Sequence, residues 1–296
     1  MNPDATRRDV LRATAATGST ALIGGLAGCS GAGGGAGGNY GSYTPAGTSS
    51  NDYPEEPSFT VVVPERIDEK RALLGDLYSG FRLGFSPPPG IAFSEMSLLV
   101  ASTSVFDGSY SGFETSVEKS AVVDAWTGEG ATEATTDGEF TVLETGSGAA
   151  AVGEGRGFVF SPGALSDVNP VTAVSTGIDT MTGDGESACT EGSQCRTVGD
   201  FLDLSAFAAF RLSPESSIFA EVDDTVANGE SVAFVGEENV RLKELFVFTE
   251  ASAASEAAVA DAIGTDEDVH FVDPEITVDG RQVRIEEELP WSEAVA

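Results

Sequence analysis

Any fold of this chain has to place 48 Asp and Glu side chains against 15 Lys and Arg, a formal net charge of −33 over 296 residues. The acids are scattered, whereas a block of consecutive acids would read as a solvated tail. Carboxylates dispersed among ordinarily spaced apolar residues, 41% of the chain, predict a folded unit with acids over its surface and material for a buried core. Disorder of the whole chain is excluded on the same ground. A field of this sign repels phosphate at every approach, so nucleic acid is excluded as a partner. One His and three Cys leave little for histidine catalysis or a thiolate metal cluster.

At ordinary ionic strength such a surface repels itself and destabilises the compact state. In molar salt the Debye length falls to about 3 Å and the repulsion is largely screened. Only Lys70, Lys119 and Lys243 supply lysine. The composition resembles that of salt-loving archaea, which implies a halophilic protein. A surface loaded with calcium is the competing explanation.

The N-terminus reads as an address. Residues 6–12 are Thr-Arg-Arg-Asp-Val-Leu-Arg, followed by an uncharged stretch from Ala13 to Gly28 that ends in Leu26-Ala27-Gly28-Cys29. That stretch is too short and too rich in Gly, Ala and Thr to span a bilayer as a helix. The first 29 residues resemble a twin-arginine export signal carrying a lipobox, as found in haloarchaeal lipoproteins. Arg7 and Arg8 match the paired arginines of that motif and Leu11 its usual Leu, while Val10 stands where Phe is more common. The resemblance implies a signal peptide over 1–28, cleavage before Cys29, and lipid attachment at the Cys29 thiol. It places the mature protein on the outer face of the cytoplasmic membrane. Residues 29–57, opening with GAGGGAGG at 31–38, predict a flexible tether reaching about 30 Å.

Order is expected from 58 to 296 as an α+β domain, mainly antiparallel sheet with helices packed on one face. A β-branched run at Phe59–Val63 stops at Pro64, and Ile67, Leu74 and Tyr78 give helical spacing over 65–78. Helices are expected near 169–180 and 197–204, strands near 206–212 and 232–245, and long polar loops at 129–138 and 183–195. Two stretches are alike. Val105-Phe106 precedes a helix with AVVDA at 121–125, and Val247-Phe248 precedes one with AVADA at 258–262. Paired strands follow each: Phe140–Thr145 with Ala149–Val152, and Glu275–Val278 with Gln282–Glu288, the latter joined at Asp279-Gly280. The pattern suggests duplicated β-α-β-β units, about 58–165 and 166–296. The competing reading is that any small α+β protein contains such units.

Candidate chemistry is sparse. With Cys29 taken by lipid, Cys189 and Cys195 are the even pair that a disulfide needs in an exported protein, closing a short loop for roughly 2 kcal/mol. Zinc would need further ligands, and His270 is the only imidazole. His270 lies in the strand-like run Asp268–Val272, which points to structure ahead of base catalysis. Gly146-Ser147-Gly148 follows a strand but no helix stands behind it, so a hairpin turn is expected in place of a dinucleotide site. Asp179, Asp184 and Glu186 form an acidic group of unmatched calcium spacing. No catalytic, cofactor or metal residue is assigned.

These features predict an exported, lipid-anchored cell-surface protein of a halophile whose domain binds or supports without catalysis. Its partners are the membrane, through the lipid on Cys29, and a small molecule or protein that the sequence does not specify. A solute-binding lipoprotein of a transporter is the alternative, and an extracellular hydrolase using carboxylates a further one.

Overall fold

The computed structural model describes residues 40–45, 58–104, 108–163, 168–212, 222–260, 263 and 269–295. Twelve strands form one sheet: β1 (Ser58–Val62), β2 (Met96–Ser104), β3 (Gly108–Thr115), β4 (Thr132–Asp137), β5 (Phe140–Thr145), β6 (Gly148–Val152), β7 (Arg156–Pro162), β8 (Phe207–Arg211), β9 (Thr225–Val235), β10 (Asn239–Phe248), β11 (Glu275–Asp279) and β12 (Gln282–Pro290). Their order across the sheet is β11-β12-β10-β9-β8-β1-β2-β3-β7-β6-β5-β4, and every neighbouring pair is antiparallel. The architecture is therefore α+β on a mainly antiparallel sheet.

Strand β1 lies near the middle of the sheet. Val61 pairs with Val100 on one side and Ala208 on the other, and Val62 pairs with Leu99 and Phe207. Alternate residues serve opposite faces. Val61, Leu98, Phe158 and Phe160 enter the core on the first face. Val62, Leu99 and Val159 enter the core on the second.

Both faces carry helices, which corrects the expectation of a single covered face. Helices α5 (Pro170–Thr182) and α6 (Gln194–Phe201) cover the first. Helices α1 (Pro64–Glu69), α2 (Arg71–Leu74), α4 (Lys119–Gly128) and α8 (Trp291–Ala294) line the second through Ile67, Leu74, Val122 and Trp291. The reason lies in the strands themselves. Val61–Val63 and Phe158–Phe160 are apolar at successive positions, so neither side of them tolerates water.

Other differences have local causes. The helix expected over 65–78 is broken at Lys70 and at Gly75, where φ is 56°, into α1, α2 and α3 (Asp76–Gly84). The expected 129–138 loop contains β4, an edge strand whose residues 132–136 are all exposed, so it lacks the alternation that marks a half-buried strand. The run around His270 forms no strand, and the helix expected around 258–262 is the short α7 (Glu256–Val259). Val105 and Phe106 lie outside the described residues. Helix α5 begins where its capping chemistry indicates: the Asn169 side chain accepts from the Thr172 amide, with Pro170 at the first turn.

Chain order is similar in the two halves. After β3 and α4 the chain goes to the edge at β4 and steps inward through β5 and β6, until β7 pairs with β3. After β10 and α7 it goes to the opposite edge at β11, and β12 returns to pair with β10.

Phe158 is fully buried between β7 and α5, where its ring occupies the space a side chain at Gly177 would fill. Phe158→Ala is expected to cost about 3–5 kcal/mol of stability, read as a lowered urea midpoint with an unchanged slope.

Candidate functional site

Among the described residues, a short N-terminal segment packs into the core of the first face through its own set of polar contacts. Tyr40–Tyr43 forms a single 3-10 turn, followed by Thr44 and by Pro45, which bridges to Ser187. Tyr40 and Tyr43 are 2% and 4% exposed and Thr44 is fully buried. The expectation of an unpacked tether through residue 57 therefore fails at 40–45. Tyrosines three apart lie on one side of a 3-10 turn, and each finds a glycine beneath it. Tyr43 lies flat on β3 at Gly112, and the Tyr40 hydroxyl meets α6 at Gly199; a Cβ at either glycine would overlap the ring.

Polar groups complete the seat on two sides. On one, Cys189 and Cys195 are joined by a disulfide with their Cα atoms 4.9 Å apart. The chain around that bridge grips the segment. The Tyr40 hydroxyl donates to the Cys195 carbonyl (3.4 Å), and the Ser187 hydroxyl donates to the Gly41 carbonyl (2.7 Å). The Ala188 amide donates to the Thr44 carbonyl (2.7 Å). Ser193 caps α6 by accepting from the Arg196 amide, which fixes where the bridged loop gives way to helix.

On the other side, the Tyr43 hydroxyl donates to Glu114 Oε1 at 3.1 Å. Glu114 is on β3 and only 5% exposed. It stands opposite Arg156 of β7 and Leu98 of β2, where a bulge inserts Ser97 into the ladder, and the Ser97 side chain also hydrogen-bonds the carboxyl. Arg156 is shared with Glu139, to which it donates from Nε at 3.2 Å, and its guanidinium lies 5.3 Å from the Phe140 ring centre. Burial wins over these stabilising partners and pushes the Glu114 carboxyl up from 4.5 to about 7. Burial likewise raises the Tyr40 phenol to about 12, and burial together with Glu114 pushes the Tyr43 phenol well above its ordinary 10.

A second polar group lies on the same face of the other half. Arg241 donates to Glu288 (3.0 Å) and approaches Asp203 (3.4 Å). Lys243 pairs with Glu286 (3.3 Å) and lies 4.9 Å from the Phe201 ring centre. The bond to Glu288 raises the Arg241 pKa further. Cations scarce in composition are thus concentrated where α6 ends against β10 and β12.

The residues singled out from sequence fare differently. Arg7, Arg8 and Cys29 lie outside the described residues. Gly146-Ser147 forms the hairpin turn between β5 and β6, with Thr145 paired to Gly148. His270 donates its amide to the Ala294 carbonyl (2.9 Å) in an irregular stretch. Asp179 is helical in α5, and its carbonyl accepts from the amides of Asp184 and Gly185 (2.8 Å each). Among the described residues no three His, Cys, Asp or Glu side chains converge as metal ligands would, and no helix is long and apolar enough to cross a membrane. Sequence reading missed Tyr40, Tyr43 and Glu114. The available signal was two tyrosines three apart in an otherwise Gly- and Ser-rich stretch.

No protein-family model and no curated protein matches this chain. Among solved structures the fold is similar to TP0453. One of its crystal forms matches 84% of this chain and 93% of that one at 9% identity, with a TM-score of 0.47. Another matches 85% and 93% at 8% identity, with a TM-score of 0.46. Likeness at this level carries no argument about function.

Ionising Glu114 costs the fold free energy, so its pH linkage has a definite sign. Its contribution is complete below pH 4.5 and is lost as pH rises through about 7. The difference should be on the order of 2–3 kcal/mol. Urea midpoints between pH 4 and 8 should show this slope in the wild type and lose it in Glu114→Gln. An unchanged slope would mean that the carboxyl is hydrated in the fold.

Proposed function

We propose that this chain is an exported, lipid-anchored cell-surface protein of a halophile, whose α+β domain binds or supports without catalysing a reaction. Arg7 and Arg8 direct twin-arginine export, and Cys29 carries the lipid that holds the domain at the outer face of the cytoplasmic membrane. The observation that supports this most is the seat of Tyr40–Pro45. A domain hung from its N-terminus is held best where residues near that end are gripped from more than one side. Here β3, α6 and the loop of Cys189–Cys195 all hold them. A disulfide also suits an oxidising, extracellular setting.

Solute capture between two closing lobes fits less well. The β1–β8 ladder runs through the middle of the sheet and joins both halves by continuous hydrogen bonding, which leaves no hinge along that line. The similar chain order of the halves, with β1 antiparallel to β8 between them, supports duplicated β-α-β-β units with two extra strands in the first. The acidic surface supports the halophile reading, because few of its carboxylates have a cation to meet. The neutral segment around α3 is the exception. Leu83 is 74% exposed there, and Leu77 and Phe81 of the same helix are only partly buried.

Cys29→Ser should move the protein from the membrane pellet to the soluble fraction. Retention in the pellet would overturn the lipid anchor. Transfer from molar to about 0.15 M salt, where the Debye length rises from about 3 to 8 Å, should lower the melting temperature by several degrees. A melting temperature indifferent to salt would overturn the halophile reading.

A further inference from the structure

Helix α3 carries Leu77, Tyr78, Phe81 and Leu83, yet none of its nine residues is buried. Its inner side leans on aromatic rings. Phe81 lies 5.6 Å from the Phe207 ring centre, and Tyr78 lies 6.2 Å from that of Phe93. Leu83 is two residues on from Phe81 and so about 160° round the helix, where it is 74% exposed. Ser79 and Gly80 lie one turn earlier on that outer side; both are small and leave Leu83 projecting. Arg82, beside it, is exposed as well.

Charge sets this face apart. Residues 77–94 contain no Asp or Glu, in a chain where those two make up 48 of 296 residues, and Arg82 is the charged residue within the stretch. The acids that flank it are engaged close by. Asp68 accepts from the Tyr78 hydroxyl, Glu69 pairs with Arg66 (2.9 Å), and Glu95 accepts from the Ala92 amide (2.7 Å). Asp76 stands in the first turn of α3, where its charge suits the helix dipole.

We propose that the outer side of α3 rests on an anionic lipid surface, with Leu83 entering the acyl boundary and the Arg82 guanidinium at the lipid phosphates. Carboxylates brought against phosphates repel them, and a Debye length of about 3 Å does not screen charges in contact. The acid-free stretch is therefore where the domain can approach such a surface. A fluid lipid layer closes around one projecting side chain, whereas a protein partner would need a pocket shaped to it.

The sheet supplies an orientation. Phe207, beneath Phe81, belongs to a row across the strands, Phe207–Val62–Leu99–Phe113. The next residue of β3, Glu114, receives Tyr43. Tyr43 and α3 thus meet the same end of the central strands from opposite faces. That this end faces the membrane rests on the lipid anchor proposed above; the contact through Leu83 does not.

The test uses the full chain with Cys29→Ser, which removes the proposed lipid, and with Leu83→Trp as a reporter. Position 83 is exposed, so the change leaves the core intact, and Trp126 and Trp291 are buried and give a constant background. In molar salt, phosphatidylglycerol vesicles at millimolar lipid should move the added emission to shorter wavelength, and nitroxide-labelled lipid should quench it about twofold or more. Val278→Trp, on the exposed edge strand β11, should be quenched no more than the chain without an added indole. Leu83→Asp should lower co-sedimentation with the vesicles several-fold. Absence of shift and quenching at position 83 would overturn the proposal. So would equal quenching at 278, because the domain would then have no preferred face, and so would vesicle binding indifferent to Leu83→Asp. Binding through one leucine is weak, so Cys29→Ser still leaves the cell pellet on dilution. Failure of the anchor is read there, by fractionation, and failure of the α3 contact is read on the vesicles.

Discussion

The pairing of β1 with both β2 and β8 is the constraint on which the rest of the molecule depends. Five residues, Ser58–Val62, complete ladders on both sides. Without them the chain would offer two smaller sheets with unpaired edges, each exposing backbone donors and acceptors. Val61 and Val62, both fully buried, face opposite cores, so one short strand sets the registration of two apolar layers. The covering helices follow from this: α5 and α6 on one side and α1, α2, α4 and α8 on the other answer central strands that bury apolar side chains on both faces.

The N-terminal seat shows how a protein short of cations handles a buried acid. Glu114 has a phenol, a serine hydroxyl and a shared guanidinium for company. None neutralises it fully, because Arg156 is engaged with Glu139, and desolvation therefore prevails. The ladder on β10 and β12 is the contrasting case. Arg241 and Lys243 meet Glu286 and Glu288 in a partly hydrated setting, where each pair contributes less than about 1 kcal/mol. Their collective effect is to hold α6 through Asp203 and Phe201 against the sheet. Helix α6 in turn carries Gly199, on which Tyr40 rests, so the two polar groups share a support.

Secondary structure was most legible where sequence chemistry is local. The start of the helix near Asn169, the hairpins at Gly146-Ser147 and Asp279-Gly280, and the strands β5, β6, β11 and β12 lie within a residue or two of their expected positions. Features set by distant partners were not legible. Strand β4 has no apolar alternation because only β5 pairs with it, and the Val269–Val272 run, strand-like in composition, pairs with no strand. Two tyrosines in a Gly- and Ser-rich stretch carry no sign of what they pack against, since Gly112 and Gly199 lie about 70 and 160 residues away along the chain.

Sequence alone determined the charge balance, the α+β class and the pairing of Cys189 with Cys195. All of these depend on composition or on residues within one or two turns of each other. The tertiary structure alone decided that both sheet faces are covered, that residues 40–45 are packed, and that Glu114 and Glu244 are among the acids removed from water. Those outcomes depend on which surfaces meet. A carboxylate in this sequence is one among 48, and only the burial supplied by remote parts of the chain sets Glu114 and Glu244 apart.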